Sequence, residues 1–377
     1  MMGKSSAFLS FVSAVFLCFA GLAMAGDQEI RIASVFALSG TASASNLHQV
    51  QGVRYAVEEL NRKGGLFGKK IKLIEIDNGS SAILSKLAAE KAVEKRVHAV
   101  IGASWSDHSL SMAPVLQRAG IPMISPNSTN PAITRIGDYI FRVCFTDILQ
   151  GNILAKFATE NLAAETAVIV QDVCSIYSLE LASIFADAFT VRGGRVLNVL
   201  DYKKDQKDAE FNEILKRMGE ETPDLIFISG HNESARMIKQ AQNLGLQSYF
   251  LGGDGWGAWN FWALGGHAIK SGYFAAHWSS EIECGKAQEF TDRFQRFYYV
   301  NENAALAYDA TMLLADAIER AGSLDRKKIR DALAATSGFE GVTGMISMDE
   351  NGDPGKKNVV IMEIRQGKAR LHSVMAE

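Results

Sequence analysis

The chain is 377 residues long, 47% hydrophobic and 21% charged, with a formal net charge of −3. That length and balance suit two medium-sized domains, each with a core of its own. No surplus of Lys and Arg marks a nucleic-acid track, and no long run of one charge sign marks a tail.

The first element is a leader. Lys4 precedes an apolar stretch over about residues 7–22, and "AMA" stands before Gly26. Charge, apolar core and a small-x-small site predict a signal peptide over 1–25, cleaved after Ala25. The alternative, a membrane anchor, is weakened by an apolar run too short for a span. A lipoprotein reading of Cys18 fails because Leu17 stands where a small residue is required. The mature chain is therefore expected to be soluble and exported. It keeps Cys144, Cys174 and Cys284, enough for at most one internal disulfide, whose pairing the sequence leaves open.

From Gly26 the chain alternates strands and helices. "EIRIASVFAL" reads as a strand, and "HQVQGVRYAVEELNRKGG" as a helix with Val50, Val53, Ala56, Val57 and Leu60 on one face. "KIKLIEID", "VHAVIG" and "IPMIS" are further strands, separated by helices "SAILSKLAAEKAVEK" and "DHSLSMAPVLQRAG". Short βαβ connections of this kind predict a parallel sheet with helices on both faces. After "YIFRVCFTD" the pattern restarts and runs through "TAVIVQ", "VLNVLDY", "DLIFIS" and "YFLGG". A late helical block and two strands, near "GMISM" and "NVVIMEIR", suggest a return to the first unit and a crossing back to the second. The fold class predicted is α/β: two doubly wound parallel-sheet lobes joined by a multi-strand hinge. Residues 26–145 with 278–347 form one lobe and 146–277 with 348–377 the other.

Open parallel sheets bind ligands beyond the carboxyl ends of their strands. In the first half those loops are rich in hydroxyls: Ser104, Ser106, Ser125, Ser128 and Thr129. With free backbone N–H groups they suit an anion. The plainer reading makes Ser106 or Asp107 a helix cap and "SPNSTNP" a turn. In the second half "LGGDGWG" sets Asp254 among glycines beside Trp256. Nucleotide-loop spacing fails at Ala258, and no acidic ladder for calcium surrounds Asp254. A turn aspartate bonding its own backbone is the plain alternative. "DENGDP" at 349–354 reads as a turn, because Pro354 stands where a calcium loop needs glycine. "GASWS" lacks the last glycine of a nucleophile elbow, and no His pair has metal-ligand spacing. No catalytic group, metal or cofactor is expected.

These segments together resemble the leucine/isoleucine/valine-type substrate-binding proteins of bacterial ABC importers, of the type I periplasmic binding protein fold. The residues that carry the resemblance are "IRIASVFALSG", "VIGASWS", "GIPMISPNSTNPAIT", "YFLGGDGW", "LAYDATMLLADAI" and "DENGDPGKK". It implies capture of an amino acid, apolar or branched-chain, between the lobes, and delivery to a membrane permease by a monomer with no nucleic-acid partner. The ligand carboxylate would meet Ser106, Asn127, Ser128 and Thr129. The ammonium would meet Asp254 and Thr129. The pocket wall would include Ser45, Trp105, Tyr177, His231 and Trp256, with Trp256 shielding the ion pair. Ser45 and Trp105 depart from the family pattern, and with Ser80 facing Trp105 a family disulfide there should be absent. Aromatic or other simple carboxylates are the alternative ligands, for uptake or sensing. A secreted hydrolase is disfavoured by the failed motifs.

Overall fold

The computed structural model describes residues 29–203, 207, 211–282 and 285–376. The predicted leader with its cleavage site, and Cys284, lie outside them. Among the described residues Cys144, buried, and Cys174, exposed, are not joined in a disulfide.

The first half runs β1 (Ile30–Phe36), α1 (Ser43–Arg62), β2 (Ile71–Asp77), α2 (Ala82–Glu94), β3 (Ala99–Gly102) and α3 (Ser106–Arg118). It ends with β4 (Met123–Ser125) and β5 (Ile140–Arg142). These strands make one parallel sheet in the order β2-β1-β3-β4-β5. The predicted face of α1 is buried, and Val50, Val53 and Val57 pack with Ile30 and Ile32 of β1. The sheet's other face is covered by Ala88 and Ala92 of α2 and by Met112 and Leu116 of α3.

The second half runs α4 (Asp147–Glu160), β6 (Thr166–Asp172), α5 (Ile176–Val191), β7 (Arg195–Tyr202), α6 (Asn212–Glu221) and β8 (Leu225–Ile228). It continues with α7 (Ser234–Asn243), β9 (Tyr249–Gly252), α8 (Trp259–Leu264) and β10 (Ser271–Ala276). Here the order is β7-β6-β8-β9-β10, so each half places its second strand outside its first. In each sheet the switch point falls beside the first strand, where ligands bind in such sheets.

The chain then supplies α9 (Gly285–Phe294), α10 (Glu302–Ala321) and α11 (Arg326–Ala334). Leu306, Leu313 and Leu314 of α10 and Leu333 of α11 join the core of the first sheet. A two-stranded ribbon follows, β11 (Phe339–Gly341) and β12 (Gly344–Ile346). Finally β13 (Val359–Arg365) and β14 (Lys368–Met375) extend the second sheet, antiparallel to β10 and to each other. That sheet is therefore parallel only over its first five strands.

Three connections pass between the sheets: after β5, after β10, and before β13. The last contains 349–354, a turn in which Asp349 Oδ1 accepts from the amides of Asn351 (2.8 Å) and Asp353 (2.9 Å). Its Gly352 carbonyl accepts from Arg142 N at 3.1 Å, which ties two crossings together. Five elements were not foreseen: β5 and β11, with three residues each, β10, α8 and β14. β10 and α8 have six residues each, too few to establish a period, and β14 alternates between exposed and half-buried residues with none fully inside.

Candidate functional site

The two switch points face each other across a cleft, and loops from both halves enclose one small cavity, about 40 Å³. From the first half come Ser45, Gln49, Ser104, Trp105, Ser106, Asn127 and Thr129. From the second come Tyr177, His231, Asp254, Gly255 and Ala258, and Asn303 enters from α10. Across the cleft the Trp105 and His231 rings lie 5.1 Å apart between centroids.

The first-half wall is a helix start with nothing capping it. α3 begins at Ser106 itself, with Trp105 at the cap position and no side-chain cap bond, so the capping alternative for Ser106 and Asp107 is set aside. First-turn N–H groups without an intrahelical partner favour an anion. Ser106 Oγ accepts from Asn130 N (3.3 Å), which leaves its own proton for a ligand. The loop carrying Thr129 is held from behind by Arg142, whose side chain is wholly buried. Arg142 donates to the carbonyls of Ser128 (2.7 Å) and Asn130 (2.8 Å) and to Thr134 Oγ1 (3.1 Å). Its Nε lies 2.6 Å from Asp353 Oδ1, an ion pair by distance without the alignment of a hydrogen bond.

The second-half wall is charged. Asp254 opens a short 3-10 turn after β9. Its side chain does not turn back on its own backbone: Oδ1 accepts from Tyr177 OH (2.7 Å) and Oδ2 faces His277 Nε2 (3.1 Å). Its amide donates to Gln150 Oε1 at 2.7 Å. Burial pushes the Asp254 carboxyl up, but His277, Tyr177 and Gln150 outweigh it and hold it below the usual carboxylate range. Two carboxylate oxygens offer about four acceptor directions, so two partners leave room for a cation. The glycines answer to close approach: a Cβ on Gly253 would strike the Tyr177 hydroxyl, and one on Gly257 would strike the Glu302 carboxyl.

Two further acids stand behind Asp254. Burial, with the charge of Asp254 adding to it, pushes the Asp147 carboxyl well up. Burial also pushes Glu302 up to about 8, against hydrogen bonds from the amides of His277 and Trp278. Of the three acids, Asp254 is the one whose surroundings favour its charged form.

The cavity thus gathers Ser45, Trp105, Ser106, Asn127, Thr129, Tyr177, His231 and Asp254 of the predicted set. Ser45 sits inside the first turn of α1 rather than in a loop. Two expectations need correction. Ser128 points away: its Oγ lies against Ser109 Oγ (2.7 Å) and the Ala103 carbonyl, and its amide donates to Ser125 Oγ. Trp256 does not shield the site; it is fully buried in the second core, stacked on Phe261 at 5.3 Å, because the 3-10 turn rolls its ring inward. Sequence reasoning missed Gln49, Gln150, His277, Glu302 and Asn303. His277 follows β10 directly, so recognising that strand would have exposed it; Gln49 lies on the predicted face of α1, one turn before Val53, and was overlooked as a polar residue there, while Gln150, Glu302 and Asn303 sit in helices whose facing the sequence does not reveal.

A family model described as periplasmic binding protein matches residues 29–369. The chain is 28% identical to a Leu/Ile/Val-binding protein of Rhizobium johnstonii, over 93% of this chain and 95% of that one. Among solved structures it is similar to a leucine-binding protein from Thermotoga maritima, with TM-score 0.86 and 34% identity over 92% of this chain and 98% of that one. It is similar too to a branched-chain amino acid transporter substrate-binding protein from Streptococcus pneumoniae in complex with isoleucine. That pair has TM-score 0.86 and 29% identity over 93% and 100% of the two chains.

Proposed function

The chain belongs to the periplasmic binding proteins, in the Leu/Ile/Val-binding family that serves ABC importers, and on that premise we propose that it captures an amino acid between its lobes and hands it to a membrane permease. The family is one of solute carriers rather than enzymes, with an extracytoplasmic role. The relatives are named for leucine, isoleucine and valine, and one is solved in complex with isoleucine.

One observation carries the reading: a single cavity has an uncapped helix start and hydroxyls on one side and an ionised aspartate on the other. A zwitterion leaving water needs both charges met, or its desolvation outweighs what it gains. Ser106, Thr129 and the first N–H groups of α3 hold the carboxylate, and Asp254 with Thr129 holds the ammonium. Each charged hydrogen bond contributes about 1.5–3 kcal/mol, so a micromolar complex, about −8 kcal/mol, is within reach after ordering costs. Because the two charges are met by different lobes, ligand shifts a hinge equilibrium toward the closed form, the form the permease reads. A simple or aromatic carboxylate would bring a second negative charge beside Asp254, which weighs against it. Lobe bounds of 26–145 with 278–347 and 146–277 with 348–377, cleavage after Ala25, a periplasmic mature chain and monomeric action complete the proposal.

Calorimetric titration of unfolded and refolded mature protein with the twenty amino acids and benzoate tests it. Micromolar binding of an amino acid with benzoate silent is expected. Binding of benzoate alone would overturn the reading.

A further inference from the structure

Once Ser106, Thr129 and Asp254 are given to the ligand's charges, with the Tyr177 hydroxyl spent on Asp254, what remains of the wall must receive its side chain. That wall is polar. Ser45 and Gln49 lie one turn apart on the same face of α1; Ser104 follows β3, Asn127 follows β4, and Asn303 stands in the first turn of α10. All five are buried, none more than 8% exposed. Among the described residues no Leu, Ile, Val, Met or Phe lines the cavity.

The five are partly bonded to one another. Asn127 Nδ2 donates to Asn303 Oδ1 at 2.7 Å. The Gln49 amide is best satisfied with its nitrogen toward the carbonyls of Ser45 (2.9 Å) and Asn46 (3.1 Å) and its oxygen toward Ser104 Oγ (2.9 Å). These bonds use only part of the capacity of three amides and two hydroxyls. Ser45 Oγ, buried at the cavity wall, has no partner among the described residues.

A buried polar group left unmatched is costly, and a site built to hydrogen-bond a side chain discriminates strongly against an analogue that lacks the matching group. A purely apolar pocket shows no such asymmetry and rejects a hydroxylated isostere only weakly. We propose that, of two amino acids of one shape, this cavity binds more tightly the one whose side chain ends in a hydroxyl or an amide: threonine over valine, and asparagine over leucine. The inference rests on the amino-acid reading above and assigns side-chain selection to Ser45, Gln49, Ser104, Asn127 and Asn303, with Asn127, bonded to Asn303, moved there from the carboxylate end where the resemblance put it.

The twenty-amino-acid titration, read through these two isosteric pairs, tests it. The tightest ligand is expected to carry a hydroxyl or an amide and to exceed its aliphatic isostere by at least about tenfold, roughly 1.4 kcal/mol. Asn303→Leu should move the threonine-to-valine ratio toward valine by a similar factor, and Gln49→Leu provides an independent variant if the first fails to fold. If an amino acid binds but aliphatic isosteres equal or exceed their polar partners, the inference is overturned while the amino-acid reading stands. If no amino acid binds, that reading fails and the inference falls with it.

Discussion

The two walls of the cleft solve opposite halves of one electrostatic problem by different means. The first-half wall is neutral: an uncapped helix start, hydroxyls, and a loop whose carbonyls are fixed by a buried guanidinium behind it. The second-half wall carries a full charge, Asp254, kept ionised by His277 and Tyr177 while its acidic neighbours Asp147 and Glu302 are pushed toward neutrality. Neutral donors hold an anion without a charge to desolvate when the cleft is empty, whereas an isolated ammonium is best met by a carboxylate. The first wall therefore depends on positioning, and the second on protonation state.

Breaking the support of the first wall should have the largest effect. Arg142→Met removes the cation beside Asp353, leaving it the Thr134 hydroxyl, and frees two loop carbonyls, and loss of one partner from a buried pair costs about 3–5 kcal/mol. Chemical denaturation should show that loss, and the protein should bind ligand poorly even where it remains folded. A fall of less than about 1 kcal/mol would mean that the guanidinium is not what fixes the loop.

Removing the charge of the second wall comes next. Asp254→Ala should weaken amino-acid binding about 100-fold, roughly 2.7 kcal/mol, with little change in the melting temperature. Unchanged affinity in calorimetry would remove Asp254 from the ligand. Gly253→Ala, which pushes a methyl into the Tyr177 hydroxyl, should reproduce part of that loss, about tenfold, by displacing a neighbour of the carboxylate while leaving it in place.

The smallest effect is a slope. Glu302 has its carboxyl raised from 4.5 to about 8 in the folded protein, so the native state holds a proton that the unfolded chain has released. The associated stability is complete below about pH 4.5 and is lost as pH rises through about 8. The melting temperature of Glu302→Gln should fall less between pH 6 and 9 than that of the unaltered protein. Parallel pH profiles would show Glu302 to be ionised throughout.

Most of the architecture was legible because its helices and strands carry strong periods: the α1 face from Val50 to Leu60 is buried as its spacing requires. β10 and β14 escaped because one is short and the other never turns a fully buried face inward. In the site, loops after strands were found by topology alone, which led to Ser106, Thr129 and Asp254. Adjacency in sequence misled at Trp256 and Ser128, where a 3-10 turn and a tight loop point neighbouring side chains into the core. Asn303 and Glu302 were out of reach, since only the packed position of α10 brings its first turn to the cleft.

The central claim is that the two walls clamp the two ends of a zwitterion. It is tested most directly by titrating the best amino-acid ligand beside its des-amino and decarboxylated analogues, with the unaltered protein and with Asp254→Ala. Each truncated analogue should bind the unaltered protein at least about 100-fold more weakly than the amino acid, and Asp254→Ala should cost the des-amino analogue nothing further. A des-amino acid that binds as tightly as the amino acid, or loses as much on Asp254→Ala, would contradict the account.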